Sequence, residues 1–288
     1  MANKHERKAS TALIRDRRTL STQRIVFLVI AAAAPLAAMI GNVPLALTYG
    51  NGAGLPVAYL VAAIVLVCFS AGYAAMSRRV INTGAFYTYI SRALGKDIGV
   101  GAAYLALTSY TAMTCGLAGA FGYFMHELIL SAAAVSIPWF VLSVIGIVIV
   151  ALLGYRSVDL SAKILGFLMI AEFLVLIVFE AIVIAKKGLG AFPLESFSLH
   201  QATSGPFGIA ALIAFTSFIG FESAALYGEE TKNPERSIPR ATYIAVTSVG
   251  IFYVITTWII IGATGISKLN AQAQADGGVF VLNLLNAY

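Results

Sequence analysis

An all-α polytopic membrane protein is the fold class this sequence predicts, and three observations carry it. Of 288 residues, 59% are hydrophobic and 11% charged, against roughly 25% charged in a soluble domain. The charges leave long empty runs: Ile25–Ser77, Ile98–Met125, Leu128–Tyr155, Ser196–Phe221 and Ala241–Ser267 contain none. Each run can supply the ~20 apolar residues that cross a bilayer, and the first can supply two crossings. Finally, the runs are continuously apolar, without the period-2 alternation of a membrane β-barrel.

Taken in order, the chain opens with residues 1–24, a basic, polar tail that reads as cytoplasmic and lacks the layout of a cleaved signal peptide. Seven spans are expected at about 25–50, 56–77, 98–126, 134–154, 158–185, 206–231 and 238–265. With the N-terminus inside, 16 of the 19 Lys and Arg fall on the inner side, a strong positive-inside bias that accounts for the net charge of +6 without nucleic acid. The segment from Val80 to Asp97 is too short and too charged at its end to cross. It reads as a helix on the cytoplasmic side, with Phe86, Tyr87 and Tyr89 facing the protein or the interface. Cys68 and Cys115 lie inside apolar runs and read as small core residues rather than a disulfide or metal pair.

Two spans contain residues that break helices. The first runs AAAAPLAAMIGNVPLALTYG. Proline suits only the start of a helix and Asn42 precedes Pro44 as an N-cap type, so an unwound segment is expected near Met39–Val43. Unwound backbone at membrane depth marks a cavity, and the alternative is a proline kink that neighbouring helices absorb. The sixth span holds Phe215-Thr216-Ser217-Phe218-Ile219-Gly220-Phe221-Glu222, a glycine and an acid in an apolar stretch, and an acid at that depth is a functional-site hypothesis. Interruptions in the first and sixth spans fit a transporter built from inverted repeats. Ile40-Gly41 with Ala46-Leu47 is echoed, at equal offsets, by Ile219-Gly220 with Ala225-Leu226.

The stretch FIGFESAALYGEETKNPERSIPRA, Phe218–Ala241, resembles the amino acid/polyamine/organocation (APC) permeases, with their aromatic-x-Gly-aromatic-acid break followed by Glu-Glu-x-Lys-Asn-Pro-x-Arg-x-Ile-Pro. Gly84-Ala85-Phe86-Tyr87-Thr88-Tyr89 followed by Gly95 is similar to the family's Gly-Gly-x-Tyr-x-Tyr segment. The family's Gly-Ser-Gly at the first break is here Met39-Ile40-Gly41, which keeps the last glycine alone. The resemblance implies a LeuT-like fold of two inverted five-helix repeats, 5+5. Residues 25–185 would form the first repeat, 186–205 an extracellular loop, 206–265 the start of the second repeat, and 266–288 a further extracellular loop or the start of an eighth span. The expected reading is therefore a permease truncated after about seven helices, whose remaining C-terminal half would complete it.

The implied function is secondary active transport of amino acids or related amines by alternating access in the plasma membrane, driven by H+ or Na+ or running as an exchanger. No cofactor is expected, and the partners are a small-molecule substrate and the lipid bilayer. The substrate's carboxylate would meet N–H groups of Ile40, Gly41, Asn42 and Val43 at the positive end of a half-helix. Its ammonium would face carbonyls around Phe215, Phe218 and Ile219, with Gly220 allowing close approach. Glu222 is a candidate proton carrier, counter-charge or gate partner, or else a neutral acid that satisfies the unwound backbone. Glu172, deep in the fifth span, is a second coupling candidate or an interhelical hydrogen-bond partner. Thr111, with Thr108 and Cys115 on one helical face, lines the cavity or serves as packing glue. Glu229, Glu230, Lys232, Asn233 and Arg236 either support a gate through charge pairs or form a solvated helix end. Against an enzyme, His5, His126 and His200 show no metal-ligand spacing. A seven-helix receptor or channel, or an inactive permease fragment, is the remaining alternative.

Overall fold

A computed structural model describes residues 20–82, 84–156 and 158–288, without the side chains of residues 156–163; residues 1–19, most of the expected cytoplasmic tail, lie outside the described residues. Every expected span is helical. The first is two helices, α1 (Thr22–Ala33) and α2 (Pro35–Tyr49), followed by α3 (Leu55–Arg79), α4 (Ala85–Leu94), α5 (Lys96–Ala133), α6 (Trp139–Arg156) and α7 (Val158–Lys187). After 3₁₀ turns at Gly188–Ala191 and Leu194–Phe197 come α8 (Leu199–Ala202), α9 (Phe207–Thr216), a 3₁₀ segment (Phe221–Tyr227), α10 (Pro234–Thr264), α11 (Ile266–Asp276) and α12 (Phe280–Ala287). Among the described residues six helical stretches are long and apolar enough to cross a membrane, Thr22–Tyr49 (α1 with α2), Gly52–Arg79, Lys96–Ala133, Ile164–Ala191, Phe207–Tyr227 and Pro234–Thr264, and α6 is a shorter apolar helix. The chain is a multi-pass, all-helical membrane protein. Residues 266–288, expected as an extracellular loop or the start of an eighth span, form α11, a 3₁₀ turn at Gly277–Val279 and α12.

The helix ends follow from the residues placed there. Ser21 caps α1 by accepting a hydrogen bond from the Arg24 amide. Pro56 and Pro234 stand in the first turns of α3 and α10, where a missing N–H costs nothing. Arg78 and Arg79 close α3 at the negative end of its dipole.

The chain divides into two compact units. The larger holds the chain up to Ala85 together with Leu168–Tyr288. Its core is the face between α3 and α10, with Tyr59, Tyr253, Phe218, Met39, Ile25 and Ile238 almost fully buried. The smaller, Phe86–Phe167, is built on the antiparallel pair α5 and α6. There Gly122 makes the close approach possible, since a Cβ on it would collide with the Trp139 carbonyl oxygen and the Ser143 hydroxyl. Cys68 and Cys115 are exposed, not core residues. On an outward helix face in lipid, a small apolar side chain is as well placed as in a core, so hydrophobicity alone did not distinguish the two.

Candidate functional site

The first span breaks, but earlier than expected. Met39–Val43 are helical within α2, and the interruption is at Ala34, whose backbone is left-handed (φ 42°, ψ 69°). Pro35 is the cause: its ring disfavours helical backbone at the residue before it and its fixed φ suits the first position of the next helix. Pro44, by contrast, lies inside α2, an arrangement that neighbouring helices make tolerable in membranes. The amides freed by the break are therefore those of Leu36 and Ala37, not those of Ile40, Gly41, Asn42 and Val43, because Pro35 has no N–H and Ala38 already donates to the Ala34 carbonyl at 3.0 Å.

The second break falls inside the expected stretch. α9 ends at Thr216, Ser217–Gly220 form turns, and the chain resumes as the 3₁₀ segment Phe221–Tyr227. Gly220 has φ 108°, and a Cβ there would stand 2.9 Å from the carbonyl carbon and oxygen of Ala32 and 3.1 Å from the Ala33 nitrogen. The two breaks thus meet backbone to backbone, which only glycine permits.

Ser217 ties the surrounding helices. Its hydroxyl donates to the Ile213 carbonyl at 3.2 Å and lies 2.8 Å from both Asn42 Nδ2 and the Tyr59 hydroxyl. A hydroxyl has one proton and two lone pairs, so with its proton directed to Ile213 it accepts from both neighbours. Tyr253 on α10 directs its hydroxyl to the carbonyls of Ser217 (3.0 Å) and Ala33 (3.4 Å), one from each break. Tyr59, Phe218 and Tyr253 pack edge to face on this side, and Phe69, Tyr73 and Phe221 form a second aromatic group. Between α1, the second break and α10, a cavity lined by Val29, Ala33, Phe218, Phe221, Val246 and Val249 has a volume of about 10 Å³, at the lower limit for one water.

Both deep acids reach the breaks. Glu222 is buried and its Oε2 accepts from the Gly220 amide at 3.0 Å, while the Tyr73 hydroxyl donates to the Glu222 carbonyl. Glu172 Oε2 accepts from the Leu36 amide at 3.4 Å. Glu180, further along α7, accepts from the Thr256 hydroxyl.

Of the sequence-predicted residues, the structure brings together Asn42 with Ser217, Phe218 and Gly220 with the end of α1, and each acid with one break. Ile40 and Val43 are buried on α2, while Gly41 faces open space, with nothing within 4 Å of the position a Cβ would take. Phe215 and Ile219 are half-buried at the second break. Thr111 belongs to the smaller unit, is exposed, and spends its hydroxyl on the Leu107 carbonyl one turn back, as Thr108 and Thr114 do on theirs. Glu229, Glu230, Lys232, Asn233 and Arg236 are exposed, and among the described residues no ion pair joins them. That end is joined to the N-terminal stem by backbone, Leu20 pairing with Thr231 in an isolated bridge, and by the Thr22 hydroxyl, which donates to the Ser237 hydroxyl at 3.0 Å. Among the described residues no His, Cys, Asp and Glu cluster could hold a metal. Sequence reasoning missed Ser217, Tyr59 and Tyr253. A hydroxyl beside a glycine break was the available signal for the first, and nothing local marks the two tyrosines.

Comparison with known proteins places the chain among transporters in sequence. The amino acid permease family model matches residues 24–285. An uncharacterized transporter of Mycobacterium tuberculosis is 27% identical over 229 residues, covering 79% of this chain and 49% of the relative; a second from the same species is 29% identical over 245 residues, with 73% and 49% covered. The low-affinity putrescine importer of Escherichia coli K12 is 24% identical over 266 residues, with 89% and 56% covered. The chain spans about half the length of these curated relatives.

Proposed function

The chain belongs to the amino acid permease family, and from that premise we propose that it works as a secondary active transporter of amino acids or related amines by alternating access. The observation that carries the reading is the meeting of two interrupted membrane helices at Gly220 and Ala32–Ala33, because interrupted helices at membrane depth are where a transporter builds its substrate site. In this reading the fold is LeuT-like, with residues 25–185 as one five-helix repeat and 206–265 opening its inverted partner, the N-terminus is cytoplasmic and the membrane is the plasma membrane. Ile40, Gly41, Asn42 and Val43 on α2 and Phe215, Phe218, Ile219 and Gly220 at the second break line the substrate's path. The Ser217 network, which joins Asn42 on α2 and Tyr59 on α3 to the second break, is the contact that loosens as the site opens. The similarity to a putrescine importer supports including amines.

Coupling is to H+ or by exchange, with Glu222 and Glu172 as the groups that carry charge. A buried acid bonded to a break amide links its protonation to the conformation of the break. The product of the whole reading frame, reconstituted in proteoliposomes, is expected to accumulate a radiolabelled amino acid or amine, and Glu222→Gln to remove the stimulation by an inward proton gradient. Full pH dependence in that variant would rule out coupling through Glu222, and uptake no greater than in protein-free vesicles would overturn the transport reading itself.

A further inference from the structure

Each helix break offers backbone amides, and in each case an acid of the chain already holds one. At the second break the Gly220 amide donates to Glu222 Oε2 at 3.0 Å. At the first, the start of α2 leaves only Leu36 and Ala37 as free donors, and Leu36 donates to Glu172 Oε2 at 3.4 Å, across 136 residues of sequence. The N-terminus of a helix is the place where a negative charge is most favourable. The carboxylate of an amino acid entering this site would have to take that place, but the carboxylate of Glu172 is there.

The charges around the breaks run the same way. Glu172 and Glu222 reach the breaks from α7 and from the 3₁₀ segment. The described cations of the larger unit stand at or near helix ends: Arg24 near the start of α1, Arg78 and Arg79 closing α3, Lys186 and Lys187 closing α7, Lys232 just before α10 with Arg236 and Arg240 in its first two turns, and Lys268 in the first turn of α11. Lys187 is held at its own end by the Gly262 and Ala263 carbonyls. The other groups at the breaks are hydroxyls (Ser217, Tyr59, Tyr253), an amide (Asn42), aromatic rings and backbone carbonyls. Carbonyls and carboxylates accept hydrogen bonds from an ammonium and repel a carboxylate.

We infer that Glu172 sets the substrate class of this site: by holding the Leu36 amide it excludes a substrate carboxylate and selects amines that carry none. The inference rests on the transport reading above and narrows it from amino acids and amines to amines alone. Glu172 acts here as a specificity residue through the helix start that it covers.

Lysine and cadaverine test it directly, since they differ only by the α-carboxylate. In proteoliposomes carrying the product of the whole reading frame, cadaverine uptake is expected to exceed lysine uptake by about tenfold or more in kcat/KM. Glu172→Ala frees the Leu36 amide and removes the charge, and should shrink the cadaverine-to-lysine ratio by about tenfold or invert it. Glu172→Gln keeps an acceptor without the charge and should shrink the ratio less. The wild-type comparison stands even where a variant fails to fold. A wild-type preference for lysine, a ratio unchanged in both variants, or uptake of neither by the folded protein overturns the inference; the transport reading falls only if neutral amino acids too are taken up no faster than by protein-free vesicles.

Discussion

At Ala34 the first membrane helix is interrupted within one residue, whereas the second interruption runs through the four residues Ser217–Gly220. The first uses proline to end one helix and start the next, and leaves an alanine in left-handed backbone (φ 42°). The second uses glycine, whose positive φ of 108° and missing Cβ let it lie on the backbone of Ala32 and Ala33. One break is imposed by a side chain that is present and the other by a side chain that is absent. The difference teaches where each can be changed: the first stores strain in a residue that another could replace, while the second has no room for anything larger than hydrogen.

Gly220→Ala should therefore have the largest effect. Its Cβ would meet backbone atoms at 2.9 Å that cannot rotate away, and positive φ adds strain. Together these cost about 2–5 kcal/mol, seen as a lower thermal midpoint in detergent and as loss of uptake. A variant that kept both would show that the breaks do not depend on their contact.

The next largest effect belongs to the link between the breaks. Ser217→Ala removes the acceptor of both Asn42 and Tyr59, leaving a fully buried phenol hydroxyl unpaired, at about 1–3 kcal/mol. Asn42→Ala, at a half-buried position, should cost less, and the two should couple in a double-mutant cycle by about 0.5 kcal/mol or more. Strict additivity would mean that the Asn42–Ser217 hydrogen bond does not help to hold α2 against the second break.

Most of the fold was legible because lipid imposes a crude rule, a long apolar run without charges, and every such run supplies membrane-length helical structure. The second break was legible for a similarly local reason: Gly220 and Glu222 stand out in an apolar stretch. The first is misplaced by sequence because Pro35 and Pro44 satisfy the same rule, and only the packing of α2 decides which of them starts a helix. Asn42 reads locally as a helix cap, yet it binds Ser217 across 175 residues of sequence. Tyr59 and Tyr253 were invisible, since an aromatic in an apolar span becomes a site residue only through a partner elsewhere in the chain. Thr111 belongs to the smaller unit and bonds its hydroxyl within its own helix, an arrangement that helical spacing alone does not reveal.

The smallest effect sharpens the comparison most, because it should have the opposite sign. Left-handed backbone costs an L-residue about 1–2 kcal/mol, and glycine removes that cost at the expense of about 0.5–1 kcal/mol of unfolded-chain entropy. Ala34→Gly should then stabilise the protein by up to about 1 kcal/mol, a small rise in thermal midpoint. Uptake should stay within about twofold of wild type, because Pro35 still ends α1 and Glu172 still holds the Leu36 amide that begins α2. Destabilisation at Ala34 would mean that its methyl group, and not only its backbone, supports the first break. A stable protein with collapsed uptake would mean that the strain itself drives the break open, so that the two interruptions differ in mechanism as well as in chemistry.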